Sequence, residues 1–151
     1  HRLAVTLLMT FPGVPGLYYG DEIGLQDAPG LGSRGCMEWD ETRWNVELLD
    51  FHRRLIALRK RSGILQRGGF QVLAVEQDFL AYQRASRAGV ILVTAQRSEQ
   101  ARPAGGLAVR QGGIADGARF REFFSGAEAV VQGGWLPLPA LPQGAALWES
   151  A

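Results

Sequence analysis

The chain has 151 residues, enough for one ordinary domain or for a small domain and part of another. Hydrophobic residues make up 46% of it and charged ones 21%, a balance that excludes a disordered chain and calls for a sizeable core. With 16 basic and 15 acidic side chains the formal charge is +1, too even to steer the molecule toward nucleic acid or an anionic membrane.

The chain enters on HRLAVTLLMTF, an apolar run expected to form a buried helix over residues 1–11. A run of that length cannot span a bilayer, which needs roughly 20 residues. It has neither a basic leader nor a cleavage site of small residues, and the sequence is expected to be a segment of a longer chain. PGVPG, residues 12–16, ends the helix and turns the chain. LYYG, residues 17–20, is expected to be a short strand covered on both faces, as in a parallel sheet or barrel.

Residues 24–44 hold glycine and proline without a steady period, so a long irregular loop is expected, ordered by Trp39 and Trp44. Asn45 then caps a helix whose Leu48, Phe51, Leu55 and Leu58 recur at helical spacing. Arg59, Lys60 and Arg61 favour the dipole at its C-terminal end, and Gly63 is expected to stop it. The basic cluster from Arg53 to Arg61 suggests a solvated helix end.

From residue 68 the pattern changes to short β-type segments separated by turns: GFQVLAV, DFLAYQR, GVILVTAQ, LAVR, RFREFFSG, WLPLPAL and AALWES. A spacing of about ten residues with glycine-rich or polar breaks points to an antiparallel sandwich. Two units are therefore expected, 1–67 and 68–151. The glycine-rich stretch 101–118 lacks the lysine and following helix of a phosphate-binding loop and reads as surface turns. Cys36 is the one cysteine, so an internal disulfide is excluded, and it has no His or Cys cluster of zinc-ligand spacing around it. No metal or cofactor is expected. A reducing compartment such as the cytoplasm fits, as does a disulfide-free secreted enzyme.

Four of these pieces, in this order, resemble the C-terminal part of the α-amylase family of glycoside hydrolases. FPGVPGLYYGDEIGL, residues 11–25, is similar to the family's approach to the eighth strand of its (β/α)8 barrel. SRGCMEWD, residues 33–40, is similar to a loop with an arginine, a methionine and a tryptophan. LLDFHRRLIALRKRSGIL, residues 48–65, resembles the last barrel helix, and Phe-Ser-Gly at 124–126 a turn of the closing β domain. Cys36 before Met37 leans toward the cyclomaltodextrinase, neopullulanase and maltogenic amylase branch. The resemblance implies an α+β segment: the end of a (β/α)8 TIM barrel (helix, strand 8, helix 8), then an all-β antiparallel sandwich domain.

It further implies an α-glucan or maltooligosaccharide substrate and a retaining mechanism, whose carboxylate pair stands about 5 to 5.5 Å apart. The family's catalytic acids come from strands before the eighth, so none is expected in this chain. Asp21 and Glu22, adjacent at a strand end, are expected on opposite faces, either supporting the active site or making structural hydrogen bonds. Arg34 matches an arginine that contacts sugar in relatives, and its guanidinium offers a planar fork of donors.

Glu38 and Asp40 lie about 6 to 7 Å apart if the loop is extended, in a segment that shapes the pocket in the family. Trp39 is a near-site candidate, able to stack on sugar, although burial is the commoner fate of such a residue; the same holds for Trp44. Tyr18 and Tyr19 are expected to pack inside the barrel and His52 to be a satisfied, partly buried histidine. The expected partners are the upstream barrel segment and, through apolar faces of helices 1–11 and 45–61, a further copy of the chain. The alternative is a non-catalytic β domain that binds carbohydrate through Trp135 or Trp148, or that only stabilises its neighbour.

Overall fold

The computed structural model describes residues 1–26, 30 and 35–151. Helix α1, Arg2–Thr10, is followed by a 3₁₀ turn at Asp21–Ile23, a second at Glu41–Arg43, helix α2, Val46–Arg61, and the short helix α3, Gly63–Arg67. The Asn45 side chain caps α2 by accepting from the Leu48 amide at 3.0 Å. Gly63 does not end the helical stretch. The Ser62 carbonyl side of the chain turns out of α2, and the Ser62 hydroxyl caps α3 through the Leu65 amide, so a new helix begins where a stop was expected.

Eight strands follow: β1 Gly69–Val75, β2 Phe79–Ser86, β3 Gly89–Gln96, β4 Gly105–Ala108, β5 Arg119–Glu122, β6 Glu128–Val130, β7 Trp135–Leu138 and β8 Gly144–Ser150. β1 and β3 coincide with their expected segments. RFREFFSG is strand only over its first four residues, because Glu122 folds the rest into a turn, and LAVR gives way to a 3₁₀ turn at Arg110–Gly112. β6 has no counterpart in the expected set: EAV is three residues long, too short to show a period.

All pairings are antiparallel. Six strands form one sheet in the order β1-β2-β3-β8-β5-β6, and β4 and β7 form a separate pair. Successive residues of a strand point to opposite faces, and here both faces of the central strands are covered. Ala81, Leu92, Phe120 and Trp148 face the β4–β7 pair, where Leu107 and Leu136 close a first core. Tyr82, Ile91, Val93 and Leu147 face the helices and pack with Val5, Met9, Leu55, Leu58 and Leu65. The molecule is thus mostly antiparallel sheet, layered between three helices and a small strand pair, and the second sheet is much smaller than a symmetrical sandwich would have.

LYYG is not a strand. Residues 17–20 make no ladder, since no extended segment among the described residues lies beside them to supply hydrogen bonds. The basic helix end is not uniformly solvated either: Arg53, Arg54, Lys60 and Arg61 are exposed, but Arg59 is buried.

Candidate functional site

The chain between α1 and α2 carries most of the candidate residues, and it is shaped by glycine. Gly20 has φ +89°, and a Cβ there would lie 2.6 Å from Leu25 Cδ2, so this turn admits no side chain. It opens the 3₁₀ turn that bears Asp21 and Glu22. These acids therefore stand at successive positions of a helical turn and not on opposite faces of a strand. Each folds back on its own segment: Asp21 Oδ2 accepts from the Tyr18 amide at 3.3 Å, and Glu22 Oε2 from the Gly20 amide at 3.0 Å. The Ile23 carbonyl accepts from the Asn45 amide at 3.1 Å, which ties this turn to the start of α2.

The second half of the loop is brought against the first. Tyr19 Oη donates to the Gly35 carbonyl at 2.8 Å, and Glu38 and Arg43 line a shallow hollow with Ile23, Gly24, Leu25 and Gln26. Glu38 pairs with Arg43 at 2.8 Å, and its other oxygen accepts from the Asp40 amide. Asp40 caps the Glu41–Arg43 turn, accepting from the amide and the hydroxyl of Thr42. Thr42's hydroxyl and amide hold the Asp40 carboxyl below the usual carboxylate range. Glu38 and Asp40 are thus occupied in loop architecture.

Trp44 is half-buried, with its Nε1 donating to the Glu38 carbonyl at 2.8 Å. Trp39 departs from expectation: it is 79% exposed, because the cap at Asp40 turns the chain so that Trp44 alone packs inward. Tyr18 and Tyr19 also stand exposed, their rings 4.5 Å apart. Arg34 lies outside the described residues. Cys36 is exposed. His52 is fully buried rather than partly so; Nδ1 shares a hydrogen bond with the Leu48 carbonyl at 2.8 Å, and Nε2 has no partner among the described residues.

Among the described residues no three His, Cys, Asp or Glu side chains come together in a way that could hold a metal ion, and no helix is long and apolar enough to cross a membrane. The most buried acid among the described residues is one that sequence reasoning passed over. Glu122 Oε2 accepts from the Phe124 and Ser125 amides at 2.9 and 2.6 Å and from the Ser125 hydroxyl at 2.7 Å, and Oε1 from the Leu147 amide at 3.2 Å. With three donors gathered on Oε2 it shapes the Phe-Ser-Gly turn.

Comparison with known proteins puts this geometry in context. No family model matches the chain. A cyclomaltodextrinase from a Bacillus species is 40% identical over 94 residues, which is 61% of this chain and 17% of that enzyme. A maltogenic α-amylase from Bacillus acidopullulyticus is 40% identical over 97 residues, 62% of this chain and 17% of the enzyme. A solved structure named cyclomaltodextrinase superposes with a TM-score of 0.86 at 31% identity, over 99% of this chain and 25% of that one. The chain resembles α-amylase family enzymes.

The likeness covers the antiparallel sheet and its helices together, and it agrees with a C-terminal segment of such an enzyme. The branch suggested by Cys36 is the one whose names recur among the relatives. The chain spans about 17% of the length of the curated relatives it matches. Arg59 and Arg84, both buried, were missed in the sequence although a signal was present. Arg59 follows Leu48, His52 and Leu55 on the buried stripe of α2, and Arg84 follows Leu80 and Tyr82 on one face of β2.

Proposed function

We propose that this chain is the C-terminal portion of a glycoside hydrolase that cleaves α-glucosidic bonds of starch-derived oligosaccharides with retention, its catalytic carboxylates lying upstream of His1. In this reading residues 1–67 complete a (β/α)8 barrel, and residues 68–151 form the closing β domain. The observation that carries it is the superposition of nearly the whole chain on a quarter of a cyclomaltodextrinase at 31% identity. The state of the acids supports it: Asp21, Glu22, Glu38, Asp40 and Glu122 all accept hydrogen bonds from nearby backbone amides. A pair poised across a glycosidic bond needs one carboxylate free to attack and another free to give up a proton.

Exposed apolar side chains support an upstream neighbour. Val14 is 98% exposed, and Leu8, Phe11, Leu17 and the two tyrosines are open on the same stretch of chain. The turn that bears Asp21 and Glu22 then stands on the side where barrel enzymes hold substrate. They support the site by fixing the turn, while Arg34 and the open face of Trp39 meet the sugar.

Assays on maltoheptaose and on a cyclodextrin test this. The purified 151-residue chain is expected to release no new reducing ends, and the longer protein encoded by its reading frame is expected to do so. Turnover by the chain alone would refute the placement of the chemistry. A carbohydrate-binding role for the β domain rests on Trp135, which is half-exposed, since Trp148 is buried in the core. Titration of the chain with maltoheptaose, followed by tryptophan fluorescence, separates the two, because a flat titration removes the binding role.

A further inference from the structure

Two buried guanidiniums meet at the C-terminal end of α1. The last carbonyls of a helix have no partner within it, and the proline at position 12 prevents the chain from continuing helically to cover them. Arg59, from α2, donates to the Met9 carbonyl at 2.8 Å, to the Phe11 carbonyl at 3.1 Å and to the Gly13 carbonyl. Arg84, from β2, donates to the Thr10 carbonyl at 2.8 Å and to Gly68 and Gly69 at 2.7 and 3.1 Å. Among the described residues neither forms an ion pair. The negative end of the α1 dipole and six backbone carbonyls replace the missing carboxylates.

The same segment is held at its other end. Residues 11–23 run from the Arg59 contacts to the Ile23 carbonyl, which binds the Asn45 amide just before α2. Arg59 and Asn45 are separated by 14 residues, about 21 Å along a helix. The segment is therefore a strap fastened at both ends, to Arg59 of α2 and to the Asn45 cap, with Val14 between them open to solvent, and its far end carries Asp21 and Glu22.

We infer that Arg59 and Arg84 are positioning residues that fix residues 11–23 against α2 and the β sheet, and through that strap set where the Asp21–Ile23 turn stands. The functional part of this rests on the proposed glycoside hydrolase reading. The β domain then does more than cover the barrel: one of its strands reaches across and sets the geometry of the segment that enters the site. Arg84 lies in the middle of β2, far in sequence from that segment, and its bond to the Thr10 carbonyl joins the sheet to the end of α1 where the strap begins.

Hydrogen exchange on the 151-residue chain tests the clamp. In Arg84→Met and in the milder Arg59→Lys, the hydrogen-bonded amides of Phe11, Asp21 and Ile23 are expected to exchange about 10-fold faster or more, while those of β3 keep their rates. Lysine keeps the charge but cannot bond three carbonyls in fixed directions as the guanidinium does. Unchanged strap amides, or equal acceleration in β3, would overturn the inference; should Arg84→Met fail to fold, Arg59→Lys decides. In the longer protein the same variants are expected to lower kcat several-fold on maltoheptaose with less effect on KM, and intact kcat would overturn the positioning role. A wild-type longer protein inactive on every α-glucan would defeat the functional reading, and the exchange result would still decide the clamp.

Discussion

At the scale of single residues, the polar groups buried between the helices and the sheet matter most. Tyr82 Oη and Thr10 Oγ1 share a hydrogen bond inside the helix-facing core. Burial pushes the Tyr82 phenol up to about 12, against smaller opposing effects of Thr10 and Arg84. A phenol whose folded pKa lies above its unfolded one adds stability that is complete below pH 10 and is lost as pH rises toward 12. Tyr82→Phe is expected to cost about 1 kcal/mol at pH 7 through the lost hydrogen bond. Urea titrations from pH 8 to 11.5 should show that difference shrinking above pH 10, and a constant difference would contradict the assignment. Arg59, Arg84 and Glu122 were hard to see in the sequence because charge argues for solvent, whereas their partners are backbone carbonyls and amides that no side-chain pattern displays. Trp39 was misplaced for a similar reason: its size favours burial, but a local cap at Asp40 decides its direction.

At the scale of elements, α2 and the long strands were legible because each carries its own period. Leu48, Leu55 and Leu58 line one helix face, and the unbroken apolar run of β3, buried from Ile91 to Gln96, matches a sheet covered on both sides. The N-cap was legible too. Asn45→Ala is expected to lower the unfolding free energy by about 1 kcal/mol, read as a shift of the urea midpoint at constant slope. A larger loss is not expected, since the Asn45 amide keeps its bond to Ile23. The apolar and aromatic run of LYYG after a turn suggests a strand, but a strand exists only with a neighbour to pair with, and among the described residues it has none. β6 is too short to show a period, and α3 depends on a single serine cap that sequence reasoning gave to a glycine stop. Strand ends failed where a side chain, such as Glu122, outbid the ladder for backbone amides.

At the scale of the whole molecule, the sheet joins two cores through the alternating faces of the same strands, so the helices and the β4–β7 pair are coupled through β2, β3 and β8. The helical layer also presents open apolar side chains on α1 and the following turn, which the proposed reading assigns to the barrel that precedes them. The candidate site was legible as a location, since the order of four motifs pointed to it. Its geometry was not, because the 3₁₀ turn at Asp21–Ile23 depends on Gly20, Asn45 and the clamp at α1 acting together across distant parts of the chain. Sequencing the reading frame upstream of His1 tests the central proposal most directly. The proposed placement predicts an unbroken frame whose barrel strands supply three carboxylates, the last shortly before His1; a start codon immediately before His1, or an upstream segment without those acids, would contradict it.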